Sequence, residues 1–145
     1  MSLEAEARAV FMGPYNCAQA VLVPFADRFG LDRDMAFKIA TPFGGGMGHT
    51  GQICGAVSGA LMAIGLAQGT ATGDKTQKYA CYALAAAFQA RFRALHGDLT
   101  CPGLLGLDIS DPAQLEVVRE QDLFHSRCPD FVGDAVRIVA DVLGL

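Results

Sequence analysis

The sequence predicts an all-α fold: one compact bundle of about seven or eight helices, with a Gly-rich loop before a central apolar helix, in a single domain spanning residues 1–145. Three observations carry this. Alanine is the commonest residue, with 23 copies. The β-branched residues are scattered, and no stretch alternates apolar and polar residues for long enough to form a convincing strand. Helix start and stop signals, by contrast, recur along the chain.

Ser2 caps a first helix that reaches Phe11, and Gly13-Pro14 ends it. Asn16 with Gln19 three residues later has the form of a capping box and opens a helix to about Phe29, closed by Gly30. Leu31 to Ala40 reads as a short helix, stopped by Thr41-Pro42. The glycine loop Phe43 to Gly51 leads into the apolar helix, from about Gln52 to Gln68, and a turn covers Gly69 to Gly73. Asp74 with Gln77 repeats the capping pattern and starts a long helix to about Leu95. Thr100 caps a short turn through Leu105, Asp111-Pro112 opens a helix to about Gln121, and Ser126 opens the last, to Leu143. No internal repeat, linker or low-complexity tract interrupts this order.

Composition narrows the function. The chain has 145 residues, 52% of them hydrophobic and only 18% charged, with a net charge of −4. That is enough apolar material for an independent core and too little charge for disorder. The mild acidity, without a basic run, argues against nucleic acid as a partner. The acidic start is unlike a signal peptide, and the longest apolar run, Ile53 to Ala67, is interrupted by Gly and Ser and falls short of the roughly 20 residues a membrane span requires. The expectation is a soluble, cytoplasmic chain with no membrane partner.

Five cysteines in such a chain need a reason. Cys17, Cys54, Cys81, Cys101 and Cys128 are odd in number, widely spread and without a CxxC pair, so a disulfide framework does not fit. On the helix map, Cys17, Cys54, Cys101 and Cys128 all fall in first turns. Unpaired backbone N–H groups and the helix dipole there favour a thiolate, lowering its pKa and raising its reactivity and metal affinity. Cys81 lies inside the long helix among Tyr79, Ala80, Tyr82 and Ala83 and reads as a packing residue.

The glycine loop contains Gly46-x-Gly48-x-x-Gly51, the letters of a dinucleotide fingerprint. That motif functions inside a βαβ unit, and the sequence has no strands to supply one. A P-loop is excluded because no Lys-Ser or Lys-Thr follows the glycines. Gly44, Gly45, Gly46 and Gly55 have another use, as backbone that approaches a bound group closely. Gly51, Gly55 and Gly59 fall four apart and would line one stripe of the apolar helix, suited to close packing or to a bulky inorganic centre. His49 and His125 are candidate additional ligands or thiolate partners, and His96 follows the long helix. Serine-hydrolase and paired-carboxylate arrangements find no support.

The segments Asn16-Cys17-Ala18-Gln19-Ala20-Val21-Leu22, Phe43-Gly44-Gly45-Gly46-Met47-Gly48 and Cys54-Gly55-Ala56-Val57-Ser58-Gly59-Ala60-Leu61 resemble the C_GCAxxG_C_C family of redox-active proteins. Cys101 with Leu104-Leu105-Gly106 and Asp108, and Cys128 ahead of Phe131-Val132, resemble the family's third and fourth cysteine segments. Carried over by position, the family cysteines are Cys17, Cys54, Cys101 and Cys128, and Cys81 has no counterpart. Pro102-Gly103 departs from the charged residues usual after the third cysteine, which bears on the helix start and the local thiol acidity there. Similar domains joined to cytochrome-like segments imply electron transfer and an iron–sulfur centre, although the absence of Cys-x-x-Cys-His excludes covalent haem attachment here.

Three functions follow as expectations. The first is a metal or iron–sulfur protein for electron transfer or redox sensing, with zinc as the other metal suited to four thiolates and the electron partner unspecified. The second, slightly behind it, is a metal-free thiol–disulfide protein. The third is a structural helical homodimer, associating through the glycine-striped apolar face; the high apolar content of so short a chain predicts a homodimer under any of the three readings. Convergence or dispersal of the four thiols separates the first two from the third.

Overall fold

The structure is a computed structural model that describes residues 2–145, and it is helical throughout. Eight helices follow one another: α1 (Leu3–Phe11), α2 (Cys17–Arg28), α3 (Arg33–Ala40), α4 (Gly55–Gln68), α5 (Lys75–His96), α6 (Cys101–Leu105), α7 (Pro112–Glu120) and α8 (Leu123–Leu143). After α3 come a 3-10 turn, Thr41–Phe43, and a glycine turn, Gly44–Met47. Among the described residues there is no strand, only one isolated antiparallel bridge between Ile53 and Thr100. The glycine fingerprint therefore has no sheet to stand on, and the dinucleotide reading falls.

The caps follow the sequence signals. Ser2 accepts from the Ala5 N–H, Asp74 from Gln77 and Thr100 from Gly103. Each satisfies one of the backbone donors that a helix start leaves unpaired. Asp32, rather than Leu31, begins α3 by accepting from Met35.

Two expected starts are displaced. The apolar helix begins at Gly55, not Gln52, with Cys54 as its N-cap residue. The Gln52 carbonyl accepts from the Cys101 N–H and the Cys54 N–H donates to the Leu99 carbonyl, so these residues are committed to the bridge. The last helix begins at Leu123, not Ser126, behind Asp122 in a left-handed conformation. The Ser126 N–H donates to the Asp122 carbonyl, which makes Ser126 a first-turn residue instead of a cap. Cys128 consequently lies in the second turn, directly before Pro129 within the helix.

The core is built on α2, α4 and α8. Helices α2 and α4 cross most intimately, α1 lies on α8 and α2, and α5 packs against α4 and α8. Gly55 and Gly59 make the α2–α4 approach possible. A Cβ on Gly59 would lie 2.6 Å from the Ala18 carbonyl oxygen, and one on Gly55 would lie 3.0 Å from the Ala18 nitrogen. The small-residue stripe is thus consumed inside the fold and is not a dimer face. Gly51 does not belong to it, because it precedes the helix with a positive φ of 71°. Phe25, Phe88, Phe92, Leu22, Ile64 and Ile138 fill the space around this crossing. Removing apolar surface of this kind from water contributes about 25 cal/mol per Å². No helix among the described residues is long and apolar enough to cross a membrane.

Candidate redox site

Cys17 is the first residue of α2, fixed by the reciprocal cap at Asn16. The Gln19 N–H donates to Asn16 Oδ1 (3.0 Å), and the Asn16 N–H donates to Gln19 Oε1 (2.8 Å). Asn16 Nδ2 also donates to the Thr41 carbonyl (2.9 Å), and Gln19 Nε2 donates to the Phe37 carbonyl and Thr41 Oγ1 (both 3.0 Å). The cap therefore ties Cys17 to the end of α3 and the start of the glycine segment.

That segment runs left-handed for five consecutive residues, Gly45 to His49, with φ between 62° and 71°. The Gly48 N–H donates to the Gly44 carbonyl (2.8 Å) and the Gln52 N–H to the Gly46 carbonyl (2.9 Å), while Thr50 Oγ1 donates to the Met47 carbonyl (2.8 Å). Glycine adopts this conformation freely. Met47 and His49 do so at roughly 1–2 kcal/mol each.

The bridge supplies the next two thiols. Cys54 and Cys101 each follow one member of the Ile53–Thr100 pair, held by hydrogen bonds of 2.8 Å from the Cys54 N–H and 2.9 Å from the Cys101 N–H. Asp98 braces the second strand of the bridge by accepting from the Leu99 and Thr100 N–H groups. The fourth thiol, Cys128, comes from α8. Next to it, Arg127 Nη2 donates to the Leu104 carbonyl (3.0 Å) and its guanidinium stands over the Phe131 ring.

Cys17, Cys54, Cys101 and Cys128 all line a single cavity of about 250 Å³. Gly45, Gly46 and Gly55 line it too. A Cβ on Gly46 would lie 3.1 Å from Cys101 Cβ, and one on Gly55 would lie 3.2 Å from Cys17 Cβ. Gly44 is placed differently: a Cβ there would lie 2.6 Å from Asn16 Nδ2, so only glycine fits beside that side chain. His49 and His125 are exposed residues that line the same cavity. His125 Nδ1 is bound to Asp122 Oδ1 at 2.7 Å, and His49 leans toward the Phe124 ring. His96 is elsewhere, paired with Asp134 at 2.9 Å between Phe92 and Phe131. Cys81 sits on α5 off the cavity, half-buried against the core.

The thiols differ in acidity, and not in the way their positions along the helices suggest. Burial pushes Cys54 up to about 12, although the Ala56 and Val57 amides work against it. Burial likewise pushes Cys101 up to about 12, with the negative charge available to Cys54, Cys128 and Asp108 adding to the effect. Cys17 and Cys128 form a coupled pair. Hydrogen bonding to Cys128, then burial, raises Cys17 well above the ordinary thiol range. The same hydrogen bond, assisted by the Arg127 charge, lowers Cys128 in spite of its burial. Cys17 therefore holds its proton more tightly than an ordinary thiol, and Cys128 gives its proton up more easily. The expectation that helix starts acidify all four thiols fails at Cys54 and Cys101 because desolvation dominates, and at Cys17 chiefly because of its interaction with Cys128.

Among the described residues, no three His, Cys, Asp or Glu side chains are gathered closely enough to hold a metal ion. What the cavity has as it stands is four thiols along its lining, with Cys17 and Cys128 close enough to shift each other's acidity. Sequence reasoning overlooked Arg127 and the hydrophobic wall of Phe11, Tyr15, Leu104, Leu105, Phe124 and Phe131. Adjacency to Cys128 was the signal available for Arg127. The wall had none, because its members come from four separate segments.

The sequence model of one family, described as "Putative redox-active protein (C_GCAxxG_C_C)", matches residues 15–142. The chain belongs to the C_GCAxxG_C_C family. The match begins just before Asn16 and ends in α8, so all four cavity cysteines lie within it. No curated protein and no solved structure matches the chain.

Proposed function

We propose that this member of the redox-active C_GCAxxG_C_C family works as a thiol–disulfide protein, with Cys17 and Cys128 as its two-electron couple. Oxidation removes two protons and two electrons from the pair and forms one Sγ–Sγ bond; reduction reverses it. The supporting observation is that all four family cysteines line one cavity, in which Cys17 and Cys128 stand near enough to shift each other's acidity. A thiolate attacks best when its pKa lies near ambient pH, and Cys128 is the thiol whose pKa is lowered.

The test is equilibration in dithiothreitol redox buffers, followed by alkylation of the remaining thiols and peptide mapping. The expected result is one reversible disulfide, Cys17–Cys128, with Cys81 free at every potential. Absence of that disulfide across the range overturns the reading.

The second reading is a bound centre, zinc or an iron–sulfur cluster, for electron transfer or redox sensing. The donor chemistry favours it, since four cysteine sulfurs on one cavity are the ligand set of both. The glycine backbone of Gly45, Gly46 and Gly55 would lie alongside. This reading needs the sulfurs to draw together from where they stand, so it ranks second here, the reverse of the order the sequence suggests. Elemental analysis and a visible spectrum of protein purified without oxygen or a chelating tag decide it. Stoichiometric iron with sulfide, or stoichiometric zinc, would displace the dithiol.

A further inference from the structure

Access to the proposed couple is narrow. Cys54 and Cys128 are each 5% exposed and Cys101 is 7% exposed. Cys17 is half-buried. In thiol–disulfide exchange the attacking sulfur must reach one sulfur of its target, so rates depend on access as well as acidity. A disulfide on a folded protein cannot follow Cys128 into a cavity wall. The cavity, about 250 Å³, is also smaller than the roughly 300–1,000 Å³ pockets that hold drug-sized ligands.

Its lining is chemically one-sided. Aromatic and aliphatic side chains dominate, and among the described lining residues there is no Lys, Arg, Asp or Glu. His49, His125 and the Tyr15 phenol are the titratable side chains that line it besides the thiols. A large charged disulfide would give up its hydration without gaining a fixed counter-charge. A small uncharged oxidant on an apolar body meets no such cost.

We propose that the site reduces small organic hydroperoxides, an inference that rests on Cys17 and Cys128 being the working couple. The Cys128 sulfur attacks the terminal oxygen of the hydroperoxide and the O–O bond breaks. The alkoxide leaves as the alcohol with a proton, and Cys128 becomes a sulfenic acid. Cys17 then attacks the Cys128 sulfur and hydroxide leaves as water. In total, two thiols and one hydroperoxide give one disulfide, one alcohol and one water. A dithiol reductant such as dithiothreitol returns the pair to its starting state.

The experiment mixes reduced protein at pH 7 with cumene hydroperoxide, hydrogen peroxide, glutathione disulfide or insulin, quenches by alkylation and maps the Cys17–Cys128 disulfide over time. Cumene hydroperoxide is expected to form it at least about tenfold faster than glutathione disulfide or insulin, because access selects among oxidants. If either disulfide is as fast, the hydroperoxide proposal fails while the dithiol reading stands. If no oxidant forms that disulfide, both fail. Cys17→Ser, with its helicity verified by circular dichroism, should consume one equivalent of hydroperoxide and stop at a Cys128 sulfenic acid that dimedone traps. A properly folded Cys17→Ser without that adduct also overturns the proposal.

Discussion

Two glycines of α4 should respond to the same substitution with opposite signs. Gly59 faces α2, where an added Cβ would lie 2.6 Å from the Ala18 carbonyl oxygen, 3.1 Å from its Cα and 3.2 Å from its carbonyl carbon. All three are backbone atoms in a helix whose start is locked by the Asn16–Gln19 box, so they cannot rotate aside. Gly59→Ala must therefore push the helices apart by several tenths of an ångström or more. Such overpacking costs typically 1–3 kcal/mol, against a helix-propensity gain of about 1 kcal/mol from replacing glycine. The net expectation is a loss of up to about 2 kcal/mol. Gly65 is exposed, and an added Cβ there meets nothing within 4 Å. Gly65→Ala keeps only the propensity term and should gain about 0.5–1 kcal/mol. Urea unfolding followed by far-UV circular dichroism measures both, and in thermal melts the two variants should separate by about 2–10 °C. Equal stability of Gly59→Ala and Gly65→Ala would falsify the close α2–α4 crossing on which the position of Cys17 depends.

Other perturbations act on the thiols. Cys128→Ser should abolish the reversible disulfide and Cys81→Ser should leave it intact, read by alkylation mass shifts; equal loss from both would remove the distinction between cavity and packing cysteines. Arg127→Gln removes a nearby positive charge from Cys128, so the pH profile of its iodoacetamide alkylation should move to higher pH, and an unmoved profile would exclude that charge effect. Cys54 and Cys101 are neutral in the folded state up to about 12, against 9.0 for an ordinary thiol. The unfolded chain therefore loses these protons first. Stability is fully present below pH 9 and falls between about pH 9 and 12, by up to about 1.4 kcal/mol per pH unit for each thiol. Cys101→Ala should flatten that alkaline slope in urea titrations, whereas an unchanged slope would show that Cys101 is not the titrating group.

Most of the helices were legible because capping is a local code. Asn16 with Gln19, Asp74 and Thr100 act through residues three positions away, and a sequence displays that spacing directly. The two misplaced starts have non-local or conformational causes. Gln52 to Cys54 are withheld from α4 by a bridge to residues nearly fifty positions later, and α8 starts early behind an aspartate in a left-handed conformation. The four cavity cysteines were identifiable by residue type and family pattern. Their convergence required the α2–α4 crossing, the bridge and the placement of α8 together. The pairing of Cys17 with Cys128 had no local signature, since the two are 111 positions apart.

That pairing also alters how reactivity is distributed among the thiols. Helix starts favour negative charge through aligned amides, and Cys17, Cys54 and Cys101 occupy such positions. Those positions are also the ones pressed into the centre of the fold, where a charge loses its hydration. Desolvation is the larger effect for Cys54 and Cys101, so their location near a helix start makes them stable thiols rather than ready nucleophiles. Cys128 lacks the helix-start advantage, yet it has a donor in Cys17 and a cation in Arg127. Specific partners at close range therefore matter more here than the general field of a helix end. A single acidified sulfur beside a proton-holding one suits the proposed dithiol couple, in which Cys128 would attack first and Cys17 would close the disulfide. On that proposal the two remaining family cysteines would line the same cavity as neutral thiols, and oxidation would begin at one defined sulfur.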